Sequence, residues 1–154
     1  VTLNVSQISK NKGAILREIL EGLPDWFGQQ DSIDEYCAQA EENPVLVARD
    51  GDEIVGALLL KNQTAATDEV LAMGVKQTQH RKGAGRALIN AAVAQSRNDG
   101  RTLLSVKTLG PSADYEPYAR TRRFYLGLGF LPIEELKTLW DEENPCLFMV
   151  KVLG

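Results

Sequence analysis

The stretch from Val70 to Leu109 constrains this chain more than any other. It reads as an apolar strand ending in VLAMGV, a basic glycine turn, HRKGAGR, a helix, and a second apolar strand, TLLSVKTL. From Ala87 to Ser96 the helix carries no charge, and Gly100 stops it. Such a helix is expected to be largely buried on a sheet. A strand–helix–strand run implies a right-handed crossover and parallel pairing.

The remaining segments fall around this unit. TLNVSQI alternates as a strand does. NKGAILREILEGL spaces Ile15, Leu16, Ile19, Leu20 and Leu23 as one face of a helix. SIDEYCAQAEEN opens with Ser32 and Glu35 at capping-box spacing, which predicts a second helix starting there and ending at Pro44. Two apolar runs flank Asp50-Gly51, a hairpin signal, and DEVLAMGV is the next strand. YARTRRFYLGLGF is a helix that stops at Gly127 or Gly129, and FLPIEEL and CLFMVKVL close the chain as paired strands. The predicted order is β-α-α-β-β-β-α-β-α-β-β, an α/β fold with a central mixed sheet flanked by helices. The 154 residues suit a single domain spanning 1–154.

Composition narrows the function. Cys37 and Cys146 form no CxxC pair and have no histidine neighbour, and there is one histidine in all. A disulfide framework and a metal site built on several histidines are therefore not expected. With short apolar runs and no recognisable leader, a cytoplasmic protein away from membranes is expected. The net charge of −4 argues against nucleic-acid binding. Yet charge is segregated. Residues 1–70 hold 5 Lys/Arg against 13 Asp/Glu, residues 71–123 hold 10 against 3, and residues 124–154 hold 2 against 5. The glycine turn lies in the basic middle, where an anionic ligand is expected.

The turn itself lacks the Walker pattern. It approaches the dinucleotide fingerprint, but Leu88 stands where a third Gly or Ala is expected, and Lys107 rather than an acid ends the following strand. A nicotinamide dehydrogenase is therefore a poor reading.

Strand, x-x-G-x-G turn, uncharged helix, strand, and a helix holding RRFYLGLGF together resemble the GNAT family of N-acetyltransferases. The family's acyl-CoA motif, Gln/Arg-x-x-Gly-x-Gly/Ala, reads here His80, Arg81, Lys82, Gly83, Ala84, Gly85. The family's last helix often ends in an FY…GF pattern, matched by Phe124, Tyr125, Gly129 and Phe130. A narrower resemblance to bacterial members runs through Val106–Ser112, Thr138–Trp140 and Asn144–Cys146. Two positions depart from the pattern: His80 replaces Gln or Arg, and Tyr118 stands where Asn is frequent.

The resemblance implies acetyl-CoA as cosubstrate and an amine, on a small molecule or peptide, as acceptor. It implies pyrophosphate binding by residues 80–86, with Arg81, Lys82 and Arg86 adding charge, and backbone contacts from Met73, Gly74 and Val75 on the preceding strand. Gly74 is expected to mark a bulge, and Gly74 or Val75 to supply the oxyanion donor. Tyr118, Thr121, Arg122 and Tyr125 share a helical face by spacing, which the resemblance turns toward the cofactor. Glu69, fourteen residues before Gly83, is the candidate base and Tyr125 the candidate acid; Asp68 is expected to face the other way. Trp26, Phe27 and Trp140, with Asp25, Asp31, Asp141 and Glu142, are expected to form an acidic, aromatic acceptor pocket. The family also makes a homodimer an expectation. A non-catalytic CoA-binding module on the same fold is the alternative.

Overall fold

The computed structural model describes residues 3–154. The elements are β1 (Leu3–Ile8), α1 (Lys12–Glu21), α2 (Gln30–Ala40), β2 (Val45–Asp50), β3 (Glu53–Asn62), β4 (Thr67–Val75), α3 (Ala84–Asn98), β5 (Leu103–Leu109), α4 (Glu116–Gly127), β6 (Leu131–Asp141) and β7 (Asn144–Val152). This is the order read from the sequence. The expected start of the first strand at Thr2 lies outside the described residues.

The strands form one 7-stranded sheet in the order β1-β2-β3-β4-β5-β7-β6. Only β4 and β5 pair in parallel; every other neighbour is antiparallel. Helix α3 supplies the crossover between the parallel strands, and its buried stripe is Ala84, Leu88, Ile89, Ala92 and Val93. It packs with Leu58, Val70, Leu104, Val106, Tyr125 and Phe130 on one face of the sheet. Leu16, Ile19, Leu20, Leu23 and Ile33 of the α1–α2 segment cover the other face, against Val45, Val47, Leu59 and Ala72. The centre of the sheet is thus buried on both sides, which is why β2, β3 and β4 read as continuous apolar runs.

Helix α2 begins earlier than the capping box predicts. Its N-cap is Gln29, no side chain caps it, and Ser32 lies inside the first turn. The chain enters from the turn that docks Trp26 and Phe27, and that packing outweighs a cap worth about 1 kcal/mol. No helix among the described residues is long and apolar enough to cross a membrane.

Candidate active site

The parallel pairing of β4 with β5 covers only Thr67–Val70 against Leu103–Val106. Both strands then continue, β4 to Val75 and β5 to Leu109, without pairing to each other. A register shift between Leu59 and Leu60 of β3 leaves Leu71 of β4 as the extra residue. A bulge bends and over-twists its strand, so β4 leaves β5 at this point. The bulge is therefore at Leu71 and not, as the sequence suggests, at Gly74, which stays in register opposite Ala57. Gly74 is instead a packing residue: a Cβ there would stand 2.7 Å from Leu23 Cδ1 and 3.1 Å from Ile19 Cγ2.

The backbone groups bordering the gap follow from antiparallel alternation. Lys76 N–H donates to Val55 O at 2.8 Å, so Gly74 pairs with Ala57, while Met73 and Val75 turn their polar groups away from β3 and into the gap. Val75 O is met there by His80 Nε2 at 2.7 Å. On the far side, Gly110 N–H donates to Pro145 O at 2.7 Å, which turns Lys107 and Leu109 toward β4. Arg122 Nη1 donates to Leu109 O at 2.7 Å. By this alternation the N–H groups facing the gap from β4 belong to Met73 and Val75, and Gly74's does not.

At the head of the gap sits the glycine turn. Gly83 is the N-cap of α3 with φ 92, and no side chain caps the helix. The first-turn N–H groups of Ala84, Gly85 and Arg86 therefore point outward with the positive end of the helix dipole. Gly85 lies so close to Phe124 of α4 that a Cβ would stand 3.0 Å from its Cζ. Arg81, Lys82 and Arg86 are exposed, and no ion pair among the described residues engages them. Arg81 has φ 65, a left-handed conformation that non-glycine residues enter at a cost of order 1 kcal/mol. The turn thus offers exposed cations beside an uncapped helix start, while His80 is turned inward to Val75 rather than outward.

The candidate base and its neighbour diverge as the strand period requires. Asp68 faces α3, accepting from Ser96 Oγ at 2.7 Å and Arg101 Nε at 3.1 Å. Glu69 faces the α1–α2 side with its side chain only 4% exposed. Lys107 Nζ donates to both its oxygens, at 3.2 and 3.1 Å, and Gln63 Nε2 donates at 2.8 Å. Lys107 also stands 5.8 Å above the Phe148 ring. Glu69 is therefore a buried carboxylate with its charge already matched. Tyr36, which stacks edge-on with Phe27, has its phenol pushed up by burial first, then by the nearby charges of Glu69 and Cys146.

Tyr125 is buried against Phe124 and Phe130, with ring centroids 5.2 and 5.3 Å away. Burial raises its pKa well above 10.0, and Tyr118 adds to the rise. Tyr118 is also raised by burial, but its hydroxyl donates to Trp26 O at 2.6 Å. Tyr115 OH donates to Asp25 O at 2.6 Å, and Trp26 Nε1 donates to Pro117 O and Thr121 Oγ1 at 3.1 and 3.0 Å. The predicted helical face thus exists, yet Tyr118 and Thr121 serve to tie α4 to the loop between α1 and α2. Trp26 then reaches His80 edge-on at 5.5 Å.

The acidic, aromatic acceptor pocket is not assembled as expected. Asp141 is spent on its own hairpin, accepting from the N–H groups of Glu143 and Asn144 and from the Asn144 amide. Trp140 is 45% exposed at the same hairpin, whereas Trp26 is docked on α4. Trp26 and Phe27 both pack on the α1–α2 side of the sheet, where Glu69 lies, and Phe27 also meets Tyr36 edge-on. Sequence reasoning passed over Gln63 and the role of Lys107 as partners of Glu69. Lys107 was visible as a lone cation ending an apolar strand, but its partner was not.

Comparison with known proteins agrees with this architecture. The family model described as the acetyltransferase (GNAT) domain matches residues 41–132. The uncharacterized N-acetyltransferase YsnE of Bacillus subtilis is 28% identical over 106 residues, covering 69% of this chain and 67% of that protein. A GNAT-family protein from Desulfovibrio desulfuricans superposes with a TM-score of 0.85 at 20% identity, over 99% of this chain and 100% of the other. A GNAT acetyltransferase from Elizabethkingia anophelis, solved with acetyl-CoA bound, gives 0.76 at 15% identity over 97% of both chains. With the family model covering more than half of its residues and the fold matching throughout, this chain belongs to the GNAT acetyltransferases.

Proposed function

We propose that this chain, as one domain over residues 1–154, transfers the acetyl group of acetyl-CoA to a primary amine by direct attack, without a covalent enzyme intermediate. The observation that carries the reading is the gap between β4 and β5, which borders free backbone groups and opens beside a bare helix N-terminus. A pyrophosphate suits the first turn of α3 with Arg81, Lys82 and Arg86 around it. A peptide-like pantetheine arm suits the gap-facing polar groups of Met73 and the gap-facing N–H of Val75. The E. anophelis protein of the same fold holds this ligand, which supports the same choice here.

The residues divide the chemistry. An alkylamine of pKa ~10.4 is neutral in roughly one molecule in a few thousand at pH 7, so the reaction gains from a base. Glu69 takes that proton, directly or through water, while Lys107 holds the carboxylate in place. As the amine nitrogen bonds to the thioester carbon, one of the gap-facing N–H groups, that of Met73 or of Val75, meets the developing oxyanion and the other is left to the pantetheine arm. The carbon–sulfur bond then breaks, and the Tyr125 hydroxyl gives its proton to the leaving thiolate. Its raised pKa keeps it protonated throughout the neutral range. The nitrogen sheds a second proton as the intermediate collapses, which restores the Tyr125 hydroxyl, while the first passes from Glu69 to water.

The test is thiol release from acetyl-CoA against a broad amine panel. At least one primary amine should give one CoA thiol per acetylated product. Binding of acetyl-CoA with no release for any amine would overturn the reading.

A further inference from the structure

The two strands that part at the gap are parallel and end on the same side of the sheet, β4 at Val75 and β5 at Leu109. A side chain meets the last carbonyl of each. His80 Nε2 meets Val75 O at 2.7 Å, and Arg122 Nη1 of α4 donates to Leu109 O at 2.7 Å. Trp26 stands between these two anchors. Its ring meets His80 edge-on at 5.5 Å, with 79° between the planes. Its Nε1 donates to Pro117 O and Thr121 Oγ1 of α4, at 3.1 and 3.0 Å. A continuous run of contacts therefore leads from the end of β4 through Trp26 and α4 to the end of β5.

Two further observations give this bridge a role beyond packing. Helix α4 has one buried residue among its twelve, Tyr125. A helix with so little core contact depends on what ties it elsewhere. Its N-terminal half is tied to Asp25 and Trp26, since Tyr115 OH donates to Asp25 O and Tyr118 OH to Trp26 O, both at 2.6 Å. Secondly, Trp26 packs with the apolar cluster on the α1–α2 face of the sheet, whereas Phe124, Tyr125 and Leu128 of α4 pack with the cluster on the α3 face. Trp26 thus joins the two faces at the strand ends, where the gap opens. Its partner Thr121 lies one turn before Tyr125 on the same helix.

We infer that Trp26 is a positioning residue for acetyl transfer: by bridging the mouth of the gap it fixes α4 against the end of β4 and so holds the Tyr125 hydroxyl in place for the leaving thiolate. The inference rests on the reading of Tyr125 as the acid. It moves Trp26 from acceptor recognition to the geometry of the transfer step, and it makes His80 the seat of the indole. A displacement of about 1 Å of a reacting group can cost as much as 10²-fold in rate, so a tie one turn away has leverage on the chemistry.

The test is a double-mutant cycle on the full chain. It is read as kcat for CoA thiol release from acetyl-CoA, with the fastest amine of a panel holding 2-phenylethylamine, spermidine and glycinamide, and as acetyl-CoA affinity by calorimetry. Trp26→Phe keeps a ring beside His80 and removes both bonds to α4. It should lower kcat roughly tenfold and leave acetyl-CoA affinity within about twofold. In a Tyr125→Phe background the same change should cost less than about twofold, because the group it positions is gone. Thr121→Val removes one of the two acceptors with little change of shape and should lower kcat roughly threefold; it carries the same cycle where Trp26→Phe does not fold. Unchanged kcat in the single variant overturns the inference. So does a loss that persists undiminished in the Tyr125→Phe background, which would mark Trp26 as structural only, and so does a loss confined to acetyl-CoA affinity. Wild-type kcat in Tyr125→Phe alone, or no thiol release with any amine, overturns the transfer reading itself and the inference with it, and both are seen before Trp26 is changed.

Discussion

At the scale of residues, the Glu69–Lys107 pair is asymmetric. The side chain of Glu69 is 4% exposed and that of Lys107 32%. Removing the cation strands a carboxylate in the interior, whereas removing the carboxylate lets the lysine swing toward water. Lys107→Met should therefore cost roughly 3 kcal/mol and Glu69→Gln nearer 1 kcal/mol in urea unfolding; the reverse order would remove Glu69 as the buried partner. Glu69→Gln should also lose most activity at low pH, where neutral amine is scarcest, and an unaltered pH–rate profile would dismiss it as the base. Tyr125→Phe should lower kcat by roughly 10²-fold or more with little change in acetyl-CoA affinity; unchanged kcat would remove it as the acid. Much of this site was legible in the chain. The glycine turn announced the helix N-terminus, and the strand period sent Asp68 and Glu69 to opposite faces. Their partners were not legible, because Lys107 and Ser96 meet them only through the crossover. Periodicity reports the face on which a side chain lies, not the neighbour it finds there.

At the scale of elements, α1 lies directly on the glycine of β4. Gly74→Ala would place a methyl 2.7 Å from Leu23 Cδ1 and 3.1 Å from Ile19 Cγ2, so the side chains packed there must shift. We expect a loss of about 1–3 kcal/mol by chemical denaturation, and a variant as stable as the wild type would show that α1 yields freely. The order of elements followed from alternation, helical spacing and turn residues. The bulge at Leu71 did not, since it depends on how β3 and β4 align, and no local signal in VLAMGV marks the extra residue. The outer strand β6 explains its own composition better. It is one edge of the sheet, with Pro132, an out-of-register Ile133 and the charges of Glu134 and Lys137. These features keep such an edge from recruiting another strand.

At the scale of the molecule, the tyrosines tie stability to alkaline pH. Tyr36, Tyr118 and Tyr125 all have phenols raised above 10.0, with burial the first cause in each. The folded state keeps these protons longer than the unfolded chain does, so their contribution is intact below about pH 10 and is lost as pH rises through the folded values. Melts between pH 8 and pH 11 should show the loss, and Tyr125→Phe should flatten it; an equally steep decline in that variant would place the effect elsewhere. A last consequence comes from Asp68. It pins the C-terminal end of α3 through Ser96 and Arg101, while the N-terminal end at Gly83 has no side-chain cap. The helix is thus clamped at its far end by β4, while the exposed side chains of the glycine turn stand outside that clamp. Substitutions of Arg81, Lys82 and Arg86 should therefore be absorbed locally, those of Gly83 and Gly85 should not, because one has φ 92 and the other abuts Phe124, and loss of the Asp68 carboxylate should loosen the whole crossover.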